Sequence, residues 1–188
     1  FAHSAFIRWG AYFYSLFTFT LHVPSALAAL LALVGVAILG LASELLVFNF
    51  ARRSSAPAKV IITFGLLQLL TSAAFWIFGS NPRGSTPLVT LGATEILGTP
   101  VGWNQIAEVI AAFVLVACFA TFLRFTRVGL LTRATVADPS LAELVGVPVR
   151  LIGSLNWTLA AISAGVAGIF IATAGPMTID IFYTFFVM

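Results

Sequence analysis

Charged side chains are scarce in this chain of 188 residues. Asp, Glu, Lys and Arg together make up 8% of it, whereas a typical soluble domain carries about 25%. Hydrophobic residues reach 61%, and charge-free runs at 23–43, 60–81 and 151–179 each meet the ~20 residues needed to cross a bilayer core. These runs lack the polar face, repeated at helical spacing, of a helix in a soluble core. The composition therefore predicts an integral membrane protein.

Residues for catalysis and metal binding are equally scarce. Cys118 is the only cysteine, which excludes an internal disulfide and a cysteine metal cluster, and its apolar surroundings favour a small packing role. His3 and His22 are not spaced as metal ligands with an acid or thiol. The phosphate-loop pattern G-x-x-x-x-G-K-[ST] is missing. The sequence therefore predicts no cofactor, no metal site, no enzyme activity and no ATP hydrolysis by the chain itself.

The positions of the basic residues predict a topology. We expect five spans, at 6–21, 25–50, 60–78, 105–125 and 151–174, with a sixth element beginning at 179. The connections after spans two and four lie on one side and hold seven of the nine basic residues, namely Arg52, Arg53, Lys59, Arg124, Arg127, Arg133 and Arg150. Positive residues stay cytoplasmic, which assigns that side. Because the charges cluster at span ends, the net charge of +3 does not indicate a nucleic-acid partner.

The connection at 124–147 contains the signals of a short helix. Asp138 suits an N-cap and Pro139 the first helical position, while Gly146 can end the helix in the left-handed conformation. Leu141, Leu144 and Val145 fall on one face of this helix. A capped helix with an apolar face, held at the membrane by arginines, is suited to docking a cytoplasmic partner. The predicted fold is thus an all-α polytopic transmembrane bundle of about five spans plus a short cytoplasmic coupling helix.

Two further patterns concern packing and the opposite side of the membrane. Small residues recur every fourth position in the last span, at Ala160, Ala164, Gly168 and Ala172, with a shorter repeat at Ala28 and Ala32. Such ribbons mark helix contacts in membranes, either within one subunit or at a moving interface or dimer seam. The loop at 80–104 has three prolines and four glycines, which is too broken for a span. It favours a periplasmic hairpin or a lid lying on the surface.

Three motifs lie in order along the chain. The first is Phe1-Ala2-His3-Ser4-Ala5-Phe6 with Gly10-Ala11-Tyr12, and the second is Ile62-Thr63-Phe64-Gly65-Leu66. The third is Thr126-Arg127-Val128-Gly129 with Arg133-Ala134, followed by Ala142-Glu143-Leu144-Val145-Gly146-Val147. In this order they resemble segments of the permease subunits of branched-chain amino-acid ABC transporters, although Ser4 stands where that family commonly has glycine.

The resemblance implies an organisation and a set of partners. Residues 1–188 are expected to form one transmembrane permease domain, incomplete at both ends, and 126–149 its cytoplasmic coupling loop. The implied partners are ABC ATPase subunits, a second permease subunit, an extracytoplasmic solute-binding protein and the lipid of a bacterial cytoplasmic membrane. The residues expected to couple to the ATPase are Arg127, Arg133, Asp138, Leu141, Glu143, Leu144 and Gly146.

Polar residues within the spans are candidates for the solute path. The resemblance places His3 and Ser4 near this path. Thr63, Gln68 and Thr71 are uncharged polar residues of the third span, and Gln68 and Thr71 share a face. The same groups can instead pack or bond neighbouring helices. Arg8 can reach an interface or pair with an acid. For Glu44 we expect an ion pair or an interfacial position, and for Glu108 an interfacial position.

The function implied is uptake of branched-chain amino acids or related small polar solutes. Relatives that carry urea, other amino acids or amides leave the solute open. An ion-coupled secondary transporter remains an alternative, but it would need acids at mid-span, whereas Glu44 and Glu108 lie nearer the ends. A membrane enzyme or an assembly subunit is the third alternative.

Overall fold

The computed structural model describes residues 2–48, 55–79, 93–96 and 99–174. Its helices in chain order are α1 His3–Ser15, α2 Ser25–Ser43, α3 Ala56–Phe78, α4 Trp103–Phe125, α5 Arg127–Ala137, α6 Pro139–Leu144 and α7 Val149–Ala174. Both α1 and α2 continue into a wider π-helical turn, at Leu16–Thr20 and Glu44–Phe48 respectively. The helices account for the expected spans, and the all-α polytopic bundle is confirmed.

Four of these helices, α2, α3, α4 and α7, are long and apolar enough to cross a membrane. The first expected span, 6–21, coincides with α1 and its π-helical turn. This segment has 13 α-helical and 5 π-helical residues, so it is shorter than each of the four long spanning helices. The sixth element expected from 179, together with Arg52 and Arg53, lies outside the described residues.

Helix α1 occupies the centre of the described bundle. It packs most extensively against α7 and also contacts α2 and α3. Most of its side chains are buried, including the large rings of Phe6, Trp9 and Tyr14. Because other helices surround α1 on several sides, a larger share of its residues is buried than in the four long helices.

The approach of α1 to α7 depends on glycine. A Cβ atom added to Gly10 would lie 2.6 Å from the Gly165 carbonyl oxygen, and one added to Gly168 would collide with the Ile7 carbonyl. Ala164, Gly168 and Ala172 of the small-residue ribbon are buried in this contact. The sequence left open whether these residues pack within the subunit or form a moving interface or dimer seam. Their packing within the subunit is confirmed. Small side chains are required because helices in lipid associate through close packing.

Helix α3 packs against the opposite flank of α1 through aromatic rings and one polar contact. The indole Nε1 of Trp9 donates a 3.0 Å hydrogen bond to the Leu70 carbonyl. Tyr12 stacks on Phe78 with ring centroids 4.9 Å apart. The hydrogen bond satisfies an indole N–H that would otherwise be costly to bury.

Helix α4 lies at the edge of the described bundle. No residue in its most apolar 18-residue window is buried, and Val109, Phe113 and Val116 are largely exposed. Lipid is as apolar as leucine, so such a face is stable in a bilayer. Between α3 and α4, strands β1 Ala93–Ile96 and β2 Thr99–Gly102 pair antiparallel, which agrees with a hairpin in the 80–104 loop. Residues 80–92 lie outside the described part of the chain.

Candidate functional site

The predicted coupling segment, residues 126–149, is more helical than the sequence indicated. We expected a basic loop before residue 138, but α5 occupies Arg127–Ala137. This is a correction with a local cause. The Thr126 hydroxyl caps α5 by accepting a 3.0 Å hydrogen bond from the Gly129 N–H, and Gly129 packs directly on the Leu123 carbonyl. A side chain at that position would prevent α5 from folding back on the end of α4.

Helix α6 has the caps that the sequence predicts. Asp138 accepts hydrogen bonds from the N–H groups of Ser140 and Leu141, at 2.9 and 3.0 Å. At the other end, Gly146 has a φ of 85°, its N–H bonds the Glu143 carbonyl, and the Val147 N–H bonds the Ala142 carbonyl. This pair of bonds with a left-handed glycine is a Schellman cap. A six-residue helix is thus fixed at both ends by local interactions.

The apolar face of α6 points away from the described bundle. Leu141, Leu144 and Val145 are 59%, 82% and 83% exposed, whereas Ala142 on the other side is buried. Arg127, Arg133 and Glu143 are exposed as well. Three exposed aliphatic side chains on a helix that is capped at both ends form a surface that can dock a partner protein.

A cleft of about 650 Å³ opens beside the coupling segment, between α1, α4, α5 and α7. Its walls are mainly apolar. The lining residues are His3, Phe119, Leu123, Thr132, Asn156, Leu159, Ala160, Ser163 and Ala164. None of these side chains is an acid, a lysine or an arginine, so the cleft offers hydrogen bonds of moderate strength rather than full charges.

The most defined polar feature of the cleft is a pair of side chains that sequence reasoning missed. The Thr132 hydroxyl of α5 donates a 3.1 Å hydrogen bond to the Asn156 side-chain oxygen of α7. Ser163, about two turns further along α7, bonds the Leu159 carbonyl of its own helix. A signal was available, since Asn156 is the one amide in the charge-free run 151–179. Its partner could not be found from spacing alone.

The structure brings one predicted path residue into this cleft. His3 lines it, and its ring packs 5.2 Å from that of Trp157. Ser4 follows on α1 and is half-buried. Thr63, Gln68 and Thr71 are not among the lining residues, because they belong to α3 on another flank of α1. Thr71 is buried, Gln68 is exposed, and the Thr63 hydroxyl bonds the Val60 carbonyl.

Three charged residues of the spans lie in defined surroundings. Arg8 is buried with its guanidinium 5.9 Å above the ring of Phe75, so it points into the bundle rather than to an interface. Glu44 is 4% exposed and accepts a 2.7 Å hydrogen bond from Ser154. Glu108 accepts a hydrogen bond from Thr173. Each carboxylate therefore joins its own helix to α7.

Comparison with known proteins adds the family. No curated protein and no solved structure matches the chain significantly. One family model does match, over residues 1–186, and is described as the branched-chain amino acid transport system / permease component. The match includes α1, the spanning helices, the capped coupling segment and α7. The chain therefore belongs to this family of multi-pass transport permease components.

Proposed function

We propose that this chain is the transmembrane permease subunit of an ATP-binding-cassette importer. It moves branched-chain amino acids, or related small polar solutes, across the bacterial cytoplasmic membrane. The observation that carries the proposal is the exposed aliphatic face of α6, formed by Leu141, Leu144 and Val145 on a helix capped at both ends. Exposed apolar side chains in a polar segment outside the spans call for a protein partner.

The proposed partner at α6 is an ABC ATPase subunit. Because the helix is fixed by the Asp138 cap and the Gly146 turn, force applied to it is transmitted to the chain on both sides. Arg127, Arg133 and Glu143 are exposed in the same segment and would help to fix the orientation of the partner through charge. In this proposal residues 1–188 are one permease domain, and residues 126–149 are its cytoplasmic coupling loop.

The importer requires further partners. A second permease subunit, identical or different, would complete the path, and an extracytoplasmic solute-binding protein would deliver the solute. The exposed apolar surfaces of α3 and α4 suit lipid or a second subunit. No cofactor, metal or nucleic acid has a role in the proposal.

His3, Ser4, Thr63, Gln68 and Thr71 remain the proposed path residues. The placement of His3 in the cleft beside the coupling segment supports its membership. Hydrogen-bonding groups along a path replace part of the water around a passing zwitterion, whose charged ends are costly to desolvate. Gln68 is exposed on α3. It would contact the solute either where α3 faces another subunit or along a second stretch of the path.

A permease for urea, another amino acid or an amide is the main alternative, since the solute-binding protein can set the specificity. An ion-coupled secondary transporter is less well supported. Glu44 and Glu108 are bonded to Ser154 and Thr173, in positions that join helices to α7 near the span ends.

Reconstitution tests the proposal. The complete permease, its ATPase subunits and its binding protein are placed in liposomes, and uptake of labelled leucine, isoleucine, valine, an amide and urea is measured with ATP. A matched preparation contains a non-hydrolysable ATP analogue. We expect uptake that needs both hydrolysis and the binding protein. Uptake driven by an ion gradient in the absence of ATP contradicts the importer.

A further inference from the structure

The Thr132–Asn156 pair links the coupling segment to the cleft. Thr132 belongs to α5, within residues 126–149, and Asn156 belongs to α7, the last spanning helix described. Their hydrogen bond, 3.1 Å from Oγ1 to Oδ1, joins residues 24 positions apart, and both side chains line the cleft. This hydrogen bond therefore belongs both to the coupling segment and to the wall of the cleft.

The chain connects this pair to the docking surface from two directions. α6 follows α5 after Asp138, and α7 begins at Val149, soon after the Gly146 turn. A displacement of α6 therefore acts on both partners of the bond. On the α7 side the helix is also held to α2, because Ser154 bonds Glu44 and the Trp157 indole donates a 3.1 Å hydrogen bond to Ser43. The separation of α5 from α7 is the distance that such a displacement would change most directly.

The chemistry of the pair fits the two ends of an amino acid. When the bond opens, the Thr132 hydroxyl needs an acceptor and the Asn156 oxygen needs a donor, since both groups are half-buried and a polar group left without a hydrogen bond there is costly. A carboxylate can accept from Thr132, and an ammonium group can donate to Asn156. Phe119, Leu123 and Leu159 line the same cleft and offer apolar contact for an aliphatic side chain.

We propose that Thr132 and Asn156 form a solute contact point that is closed by their mutual hydrogen bond and opened through the coupling segment. Its ligand class is a small zwitterion with an aliphatic side chain. This inference rests on the proposed importer function and specifies a site within it. The exchange of one internal hydrogen bond for two bonds to the solute keeps binding weak, which transport requires because a tight site would stall release.

The test compares variants in the reconstituted transporter through the number of solute molecules imported per ATP hydrolysed. Thr132→Val and Asn156→Leu should each lower this ratio about threefold or more, the factor that corresponds to an average hydrogen bond between membrane helices. Thr132→Ser keeps the hydroxyl and should retain the ratio. The double variant should lose more than either single variant, because each residue supplies its own bond to the solute.

Thr158→Val is the matched control. Thr158 lies on α7 two residues beyond Asn156, is half-buried, and bonds the Ser154 carbonyl of its own helix. We expect an unchanged ratio for this variant. Thermal melting of each purified subunit separates a lost contact from misfolding, and Asn156→Leu provides the readout if the valine variant does not fold.

The two proposals fail in different ways. If the unmodified transporter shows no ATP-dependent uptake, the importer function is wrong. If it transports but Thr132→Val and Asn156→Leu keep the unmodified ratio, the contact point is overturned. A double variant that is no worse than the more impaired single variant also overturns it, because the two residues would then not hold opposite ends of the solute.

Discussion

The Ser154 hydroxyl donates a 2.7 Å hydrogen bond to the carboxylate of Glu44, which precedes it by 110 positions in the chain. Glu44 begins the π-helical turn that ends α2, and it is 4% exposed. Close by, Trp157 bonds Ser43. Two polar contacts in apolar surroundings therefore fasten the end of α2 to the first part of α7, directly after the coupling segment.

Ser154→Ala should destabilise the subunit by ~0.6 kcal/mol, and at most by about 1.7 kcal/mol, the range measured for hydrogen bonds between membrane helices. The physical reason is that the buried carboxylate loses one donor. Thermal melting in detergent measures the effect. Ser163→Ala is the control, since that hydroxyl bonds the Leu159 carbonyl within α7. Equal melting temperatures for the two variants would show that the contact with Glu44 contributes little.

Gly10→Ala should destabilise the subunit by about 1–3 kcal/mol, the usual cost of overpacking. The new methyl group would lie 2.6 Å from the Gly165 carbonyl oxygen and would force α1 away from α7. Gly65→Ala is the matched control, because nothing lies within 4 Å of its added Cβ. Alanine's better helix propensity should leave that variant unchanged or stabilise it by up to about 1 kcal/mol. A lower melting temperature for Gly65→Ala than for Gly10→Ala would contradict the packing described for α1.

Leu144→Asp should leave membrane insertion intact and uncouple ATP hydrolysis from transport. The side chain is 82% exposed on α6, so its loss removes docking contact without disturbing the subunit's core. Leu144→Met retains an apolar side chain of similar volume and should remain coupled. Uptake and ATPase activity are measured on the same liposomes. Transport at the unmodified rate by the aspartate variant would remove α6 as the docking surface.

Lys59 and Arg133 are expected on the same, cytoplasmic side. Both side chains are exposed, and they belong to connections that are rich in basic residues. Single cysteines at these positions, in a Cys118→Ala background, should react with a membrane-impermeant thiol reagent after the membrane is opened, but not in intact cells.

A cysteine at Thr20 is the control for this topology. Thr20 is exposed near the end of the first span and is expected on the opposite side. It should react in intact cells. Labelling of the Lys59 or Arg133 position before the membrane is opened refutes the assignment of sides.

Gln68→Leu should lower the transport rate while the binding protein's affinity for solute stays unchanged. Because Gln68 is exposed in the described subunit, the melting temperature should change little. Gln68→Asn keeps an amide and should retain more of the rate. Uptake and melting are measured on one preparation. Normal uptake per folded molecule in the leucine variant would remove Gln68 from the proposed path.

The sequence by itself determined the spanning helices and the ends of α6. Length and apolarity are sufficient for the former, because a backbone in lipid must satisfy its hydrogen bonds within the helix. The caps of α6 are local as well, since Asp138 and Gly146 act on groups a few residues away. The same local reasoning missed α5, whose sequence RVGLLTRATVA has arginines and threonines in place of a long apolar run.

Only the tertiary structure decided which faces meet. Lipid is as apolar as leucine, so an exposed face and a buried face of a spanning helix can have the same composition. Nothing in the local pattern pairs Glu44 with Ser154 or Thr132 with Asn156. These pairings depend on how closely helices approach, which Gly10, Gly165 and Gly168 permit at one crossing. Spacing along the chain predicts helices, whereas the contact between them is set by steric fit across distant segments.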